Sequence, residues 1–217
     1  MQNHVVYHCS NPDCGFRFPY QPDRQPLSSC PRCGCDQFDQ ETFYEPVKVQ
    51  KQVHQSFDQT IEVVLENIRS AFNVGSIFRT SDSAGIKMLH LCGMTSTPEN
   101  PKVSKTALGA EFSLAWDYYP DSLEIIRDRH AQGYHILALE GGNEAINLQN
   151  LIPVLPSKPI LLVLGSEVSG LDPRVLSYCH QIVSIPMSGF KDSLNVAVAY
   201  GIAAYFLRYF PRNNNNQ

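Results

Sequence analysis

Short apolar runs alternate with amphipathic segments along most of the chain. The runs Ile61–Glu66, Met88–Cys92 and Ile160–Leu164 are five or six residues long and rich in branched side chains, which is typical of buried strands. Segments between such runs carry apolar residues at helical spacing and end near glycines such as Gly85 and Gly133. Because strands that alternate with helices favour parallel pairing, the pattern predicts an α/β fold with a largely parallel sheet.

The last patterned stretch combines a strand, a polar loop and a long apolar helix. The short β-branched run His180–Ile185 is broken by Pro186 and the polar residues that follow. Two faces of the helix are apolar, one with large side chains and one with small ones: Leu194, Val198, Ile202 and Phe206 on the first, and Ala197, Gly201 and Ala204 on the second. The small face would let another backbone approach closely.

The polar loop brings Ser193 and Asn195 to the first turn of this helix, at the mouth of the sheet. Backbone N–H groups are free at such a turn and suit contacts with a ligand. Ser193 also fits a simple N-cap, and Asn195 fits a surface residue, so the loop by itself does not establish a site.

Residues 1–45 differ from the rest, because they hold five of the seven cysteines and almost no helical periodicity. The cysteines form two pairs, Cys9 with Cys14 and Cys30 with Cys33. Such pairs resemble a zinc ribbon, in which four thiolates bind a structural zinc ion and leave no open position for catalysis. Cys35 or His8 could replace a ligand, and unliganded buried thiols or a redox pair are the alternatives.

The change in composition predicts four segments. A zinc-ribbon-like domain spans residues 1–45, a polar linker spans 46–59, the α/β domain spans 60–210, and a disordered, asparagine-rich tail spans 211–217. A domain of about 45 residues with so few apolar side chains would be marginally stable without a metal.

The net charge of −4 argues mildly against a protein coated with nucleic acid. Local cations could still contact phosphates, and the candidates are Arg17, Arg24, Arg32, Arg69, Arg79, Lys102 and Lys105. The aromatic side chains of Phe16, Phe18 and Tyr20 could stack on bases or form the core of the small domain.

Seven cysteines, no signal-peptide pattern and a longest apolar run of twelve residues, Val196–Leu207, lead us to expect a cytoplasmic protein without a membrane span.

Two nucleotide-binding patterns are missing from the sequence. The stretch Gly165–Gly170 lacks the lysine of a phosphate-binding loop, and no Gly-x-Gly-x-x-Gly opens the first helix. What remains is a set of polar residues in loops that follow predicted strands, where parallel sheets bind ligands: Asn73, Arg79, Glu167, Ser193 and Asn195.

Three stretches, from Asn73 to Arg79, from Leu164 to Gly170 and from Ile185 to Asn195, occur in this order and resemble motifs 1, 2 and 3 of one family. This family is the SpoU/TrmH branch of the SPOUT superfamily, whose members are RNA ribose 2′-O-methyltransferases that use S-adenosylmethionine. The resemblance covers about residues 60–208. It implies an α/β trefoil knot, a homodimer packed partly through the C-terminal helix, and a tRNA or rRNA substrate.

The resemblance also implies roles for the polar residues. Arg79 would be catalytic, either as general base on the ribose 2′-OH or as a cation that binds phosphate. The first role is chemically awkward, because an arginine side chain normally stays protonated. Asn73 would position the arginine or the ribose, and Glu167 would organise the motif 2 loop. Ser193 and Asn195 would orient the substrate. Cofactor binding, mostly by backbone, is implied at Leu139, Gly141, Gly165, Ile185, Met187 and Leu194.

Two other functions remain open at the level of sequence. A non-catalytic RNA-binding or assembly protein could keep the same scaffold, and so could a methyltransferase that acts on small molecules. The five retained polar residues favour the RNA enzyme over the first, and binding of the cofactor would discriminate between them.

Overall fold

The structure is a computed structural model that describes residues 4–21, 27–44, 59–142, 144–151 and 155–209. The chain divides into two compact units, Met1–Gln55 and Ser56–Gln217. The predicted linker 46–59 lies outside the described residues except for Gln59, and so do Arg24 and the predicted tail 211–217. The domain bounds therefore stay predictions.

The N-terminal unit contains a three-stranded antiparallel sheet in the order β2-β1-β3. Its strands are β1 (His4–Cys9), β2 (Arg17–Tyr20) and β3 (Phe38–Tyr44). Val5, Val6 and Phe18 are buried, and the ring of Phe16 stacks on that of Phe18 with 5.3 Å between centroids. Phe18 is therefore part of a small core.

The larger unit alternates strands and helices, as the hydrophobic pattern predicts. Its described elements are β4 (Ile61–Glu66), α1 (Ala71–Ser83), β5 (Met88–Cys92), α2 (Pro101–Ala107), α3 (Ala110–Ser113), β6 (Ala115–Tyr119), α4 (Ser122–Ala131), β7 (His135–Leu139), β8 (Ile146–Asn147), a 3₁₀ turn (Leu148–Asn150), β9 (Ile160–Leu164), α5 (Pro173–Leu176), β10 (Gln181–Ser184) and α6 (Val196–Tyr209). The strands form one parallel sheet of seven in the order β6-β5-β4-β9-β7-β10-β8.

Helices cover both faces of this sheet, so every residue of the central strands β4 and β9 is buried. Side chains of α1, α2 and α6 pack on one face with Ile61 and Leu65, and those of α4 and α5 pack on the other with Val64 and Val163. No helix in the described ranges has the length and apolarity that crossing a bilayer requires.

Helices α1 and α2 approach closely at Gly75. A Cβ atom at this position would lie 2.2 Å from the carbonyl oxygen of Val103, far inside van der Waals contact. The glycine therefore permits the close crossing, which carries α2 and Thr106 against α1. Two short helices, α2 and α3, lie between β5 and β6.

Helix α6 buries only part of the two apolar faces that its sequence shows. Tyr200, Ala203, Ala204 and Leu207 are buried, and the hydroxyls of Tyr200 and Ser81 of α1 form a buried hydrogen bond of 2.5 Å. Of the predicted large apolar face, Val198 is 51% and Ile202 is 43% exposed. Part of the small face packs within its own chain, since Ala204 is buried and Gly201 faces Thr80 of α1.

Strand β10 lies between β7 and β8, although β7 and β8 are consecutive in the chain. The segment after α5 therefore enters the sheet between two strands joined by residues 140–145. A threaded chain requires such an insertion, and the knot itself stays a prediction.

A buried carboxylate links strands β4 and β5 to helix α4. Glu62 accepts hydrogen bonds from His90 at 2.9 Å, from Arg129 at 2.6 Å and from the Tyr134 hydroxyl at 2.8 Å. Burial by itself would raise the pKa of the Glu62 carboxyl, but these three donors lower the pKa to about 2. The charged form of Glu62 is thus stabilised in the fold.

Replacement Glu62→Gln should lower the free energy of unfolding by about 2–3 kcal/mol at neutral pH, because it removes the charge from a buried, hydrogen-bonded pair. The pKa lies near 2 in the fold against 4.5 in the free side chain, so the stabilisation is present above pH 4.5 and is lost as pH falls toward 2. Urea unfolding followed by the fluorescence of Trp116, the single tryptophan, measures this.

The exposed Glu124 of α4 offers the matched control Glu124→Gln. A difference between wild type and Glu62→Gln that stayed constant from pH 7 down to pH 3 would contradict the role of the Glu62 charge.

Candidate functional site

A chain of hydrogen bonds joins three polar side chains that are far apart in the sequence. The Nδ2 group of Asn73 donates to Oε1 of Glu167 at 3.0 Å, and the Nδ2 group of Asn195 donates to Oδ1 of Asn73 at 3.2 Å. Asn73 lies on α1, Glu167 in the loop after β9, and Asn195 just before α6. The structure thus brings together one residue from each of the three predicted motifs.

The loop between β4 and α1 is held from both ends. Thr95, which is buried, accepts a hydrogen bond from the backbone N–H of Ile68 at 3.0 Å and donates to the carbonyl oxygen of Leu65 at 2.8 Å. Ser70 caps α1 by accepting from the backbone N–H of Asn73 at 3.3 Å. Asn73 therefore has a fixed place in the first turn of α1.

Glu167 serves as an acceptor for the same loop. Its Oε2 accepts from the backbone N–H of Arg69 at 3.1 Å, in addition to the bond from Asn73. Burial by itself would raise the pKa of Glu167, but hydrogen bonds led by that of the Arg69 N–H lower it below the usual value. Glu167 is thus held as a carboxylate that fixes the loops.

Asn195, and not Ser193, caps helix α6. Its Oδ1 accepts from the backbone N–H of Ala197 at 3.0 Å and of Val198 at 3.4 Å. The N-cap interpretation of Ser193 is therefore wrong, and these two N–H groups are not free for a ligand. The Ser193 hydroxyl donates to its neighbour Asp192 at 3.3 Å and is exposed.

A cavity of about 370 Å³ opens at the carboxyl ends of β7, β9 and β10. All six positions that the resemblance implies for cofactor contacts line it: Leu139, Gly141, Gly165, Ile185, Met187 and Leu194. Glu167 and Ser193 line it too, whereas Asn73 and Asn195 brace its wall from outside. Asn143, beside Gly141 in the same loop, lies outside the described residues.

Glu140 is a cavity residue that the sequence analysis missed. Its Oε2 accepts from the backbone N–H of Leu171 at 3.0 Å, which ties the end of β7 to the loop after β9. A Cβ at Gly170 would lie 2.9 Å from the same oxygen, and Gly170 has a φ of +70°, so glycine is required there. A carboxylate directly after a predicted parallel strand was the signal available in the sequence.

Arg79 does not line this cavity. It lies six residues beyond Asn73 on α1, roughly 9 Å along the helix axis. There it lines a second, more open cavity of about 500 Å³ with Lys105 of α2 and Tyr205 of α6. Within one chain, the structure therefore separates Arg79 from the other four polar residues.

Four cysteines of the N-terminal unit converge as their spacing predicts. The Sγ atoms of Cys9, Cys14, Cys30 and Cys33 all lie within 4.8 Å of one another. The Sγ atoms of Cys9 and Cys33 are 3.5 Å apart, close to the roughly 3.8 Å that tetrahedral zinc with bonds of ~2.3 Å requires. Cys35 instead contacts the backbone of Gln37. The donor set fits zinc.

Known proteins are similar to the larger unit in sequence and in fold. The model of the SpoU rRNA Methylase family matches residues 60–205. The chain is 29% identical over 146 residues to the uncharacterized tRNA/rRNA methyltransferase slr1673 of Synechocystis sp., covering 67% of this chain and 52% of that protein. It is 27% identical over 150 residues to the 23S rRNA (guanosine-2'-O-)-methyltransferase RlmB of Escherichia coli K12, covering 69% of this chain and 60% of that protein.

A solved structure agrees with these relatives. The AdoMet-bound rRNA methyltransferase from Sinorhizobium meliloti is similar over 69% of this chain and 56% of that chain, with a TM-score of 0.63 and 28% identity. The chain spans between 52% and 60% of the length of the two curated relatives above.

The contact between Asn73 and Glu167 should appear as an energetic coupling. Asn73→Ala and Glu167→Ala should each destabilise the larger unit, and the double variant should lose about 1 kcal/mol less than the sum, because both single changes break the same bond. Urea unfolding followed by Trp116 fluorescence measures all three.

Asn73→Ala combined with Ser193→Ala is the matched control, since the Ser193 hydroxyl bonds to Asp192 and its pairing with Asn73 should be additive. Additivity in both pairs would refute the proposed link between the motifs.

Proposed function

Because the chain belongs to the SpoU rRNA Methylase family, we propose that it transfers a methyl group from S-adenosylmethionine to the ribose 2′-OH of a structured RNA. The observation that carries this proposal is the cavity at the strand ends, lined by all six implied cofactor positions and braced by the Glu167–Asn73–Asn195 chain. The relatives named above, which act on ribosomal or transfer RNA, support RNA as the substrate. With such a substrate, we keep the cytoplasm as the proposed location.

The cavity suits S-adenosylmethionine in size and in lining. Loop backbone at Gly141, Gly165 and Ile185 would hold the cofactor, and the apolar side chains of Leu139, Met187 and Leu194 would contact its less polar parts. When bound, the cofactor supplies an electrophilic methyl group. The AdoMet-bound Sinorhizobium meliloti protein supports this assignment.

The remaining chemistry is alignment of the ribose and removal of its proton. Ser193 lies at the lining of the cavity with an exposed hydroxyl, which suits contact with the substrate. Arg79 would stabilise the phosphate next to the target ribose, or act as general base on its 2′-OH. Asn73 and Asn195 act as positioning residues.

A homodimer would resolve the separation of Arg79 from the cavity. Helix α6 exposes Val198, Ile202 and Tyr205 on one face, and Tyr205 lines the same second cavity as Arg79. We propose that a second copy of the chain packs on this large apolar face. Arg79 of one copy could then approach the cofactor cavity of the other.

The N-terminal unit would bind one structural zinc ion. Cys9, Cys14, Cys30 and Cys33 would be its ligands, and four thiolates leave no position for a substrate. Asn11 supports the site, since its Nδ2 group lies 3.9 Å from Sγ of Cys33. A metal would provide the stability that the few buried apolar side chains do not.

Calorimetric titration should show micromolar binding of S-adenosylmethionine and S-adenosylhomocysteine at about one site per chain. Arg79→Ala should keep this binding but lower methyl transfer to total rRNA or tRNA by roughly 100-fold or more, because the residue acts on the ribose and not on the cofactor. Transfer of a tritiated methyl group measures the second effect.

The variant Arg127→Ala, on α4, is a matched control that should leave both quantities unchanged. Cofactor affinity that collapsed with Arg79→Ala would show that Arg79 is misassigned. No cofactor binding by folded wild-type protein would favour a non-catalytic RNA-binding protein.

Zinc should be present at about one ion per chain by mass spectrometry of the metal, and Cys30→Ser with Cys33→Ser should abolish it, because two of four ligands are lost. The unfolding transition of Trp116 and the sedimentation of the dimer should not change. Cys35→Ser should keep the metal. A dimer that dissociated with zinc loss would contradict two independent units.

A further inference from the structure

Two positively charged side chains line the second cavity. Arg79 of α1 and Lys105 of α2 line it together, and both side chains are exposed. Within the described residues, neither side chain forms an ion pair or a hydrogen bond with another residue. Stability of the larger unit therefore does not explain why the two charges lie side by side.

Among the residues that the structure describes, no carboxylate lines this cavity. Of the nearest acidic residues in the sequence, Asp82 accepts from the Ser113 hydroxyl and Glu111 accepts from the backbone N–H of Gly109. The positive charge in the cavity is thus not neutralised by its lining. An anion in this cavity would therefore be attracted by the positive charges of Arg79 and Lys105.

Three of the five hydroxyl groups that line the cavity already donate within the chain. Ser76 and Thr106 donate to the carbonyl oxygen of Phe72, and Ser83 donates to that of Arg79, each at 3.0 Å. The charged donors of the lining are the guanidinium of Arg79 and the ammonium group of Lys105. Together they offer a planar fork and a point charge, which suit the oxygens of a phosphate group.

The lip of the cavity carries a strained apolar residue. Leu108 has a φ of +54°, a conformation that costs a residue with a Cβ about 1 kcal/mol, and its side chain is exposed. Leu108 thus places an apolar surface beside the two cations. A site that contacts both the phosphate and the base of a nucleotide needs a cationic surface and an apolar one.

We infer that Lys105 and Arg79 form a binding site for a phosphodiester of the RNA substrate, with Lys105 as a residue that binds RNA without taking part in methyl transfer. The inference rests on the proposed function for the identity of its ligand. The backbone phosphate is common to every sequence, so this site contributes affinity and not sequence specificity.

Lys102 provides a matched control, because it is an exposed lysine on the same helix and does not line the cavity. The probes are two fluorescently labelled stem–loop RNAs of unrelated sequence, titrated by anisotropy at several salt concentrations. Lys105→Ala should weaken binding of both RNAs about tenfold and lower the salt slope by about one phosphate contact, whereas Lys102→Ala should change neither. Lys105→Arg should restore most of the affinity. S-adenosylmethionine affinity should be the same in all variants.

Equal effects of Lys105→Ala and Lys102→Ala, or no binding of either RNA by wild-type protein at low salt, would overturn the inference. Its failure is distinguishable from failure of the proposed function, since RNA binding and methyl transfer are measured separately. Wild-type protein that bound RNA through Lys105 but transferred no methyl group would keep the phosphodiester site and refute the enzyme.

Discussion

The bond between Glu167 and Asn73 is the constraint on which the cofactor cavity depends. Glu167 lies 94 positions and Asn195 lies 122 positions from Asn73 in the sequence. Two of the three side chains also fix backbone: Glu167 holds the N–H of Arg69, and Asn195 caps α6. Removing one side chain would therefore loosen two loops at once, since each bond orients the group that makes the next.

Helix α1 separates the two cavities of the larger unit from one another. One end of the helix carries Asn73 and belongs to a cavity lined by loop backbone, by apolar side chains and by the carboxylates of Glu140, Glu167 and Asp192. Two turns later the same helix carries Arg79, beside Lys105. Acidic and cationic groups thus line different cavities without neutralising one another, and a single helix sets the spacing between them.

Sequence reasoning worked where one physical signal dominated. The strands Ile61–Glu66, Met88–Cys92 and Ile160–Leu164 have the predicted bounds because burial on both faces leaves continuous apolar runs. Strand β8 has two residues and leaves no periodicity to read. Sequence reasoning did not identify the buried face of α6, because Tyr200 is buried with its bond to Ser81, a tertiary contact that hydropathy does not contain. The motif around Arg79 does not show which cavity its side chain lines, because this depends on how α1 packs with α2 and α6.

The place of β10 inside the sheet has a consequence for synthesis on the ribosome. Strand β10 and helix α6 are translated after the six other strands of that sheet, yet β10 must enter between β7 and β8. Until then the emerging chain exposes unpaired edges of β7 and β8, which invite pairing with other nascent chains. The cavity wall formed by residues from Val183 to Ala199 is also missing at that stage. A chain truncated before these residues would therefore lack this wall and keep an open sheet, whose unpaired edges favour association with other chains.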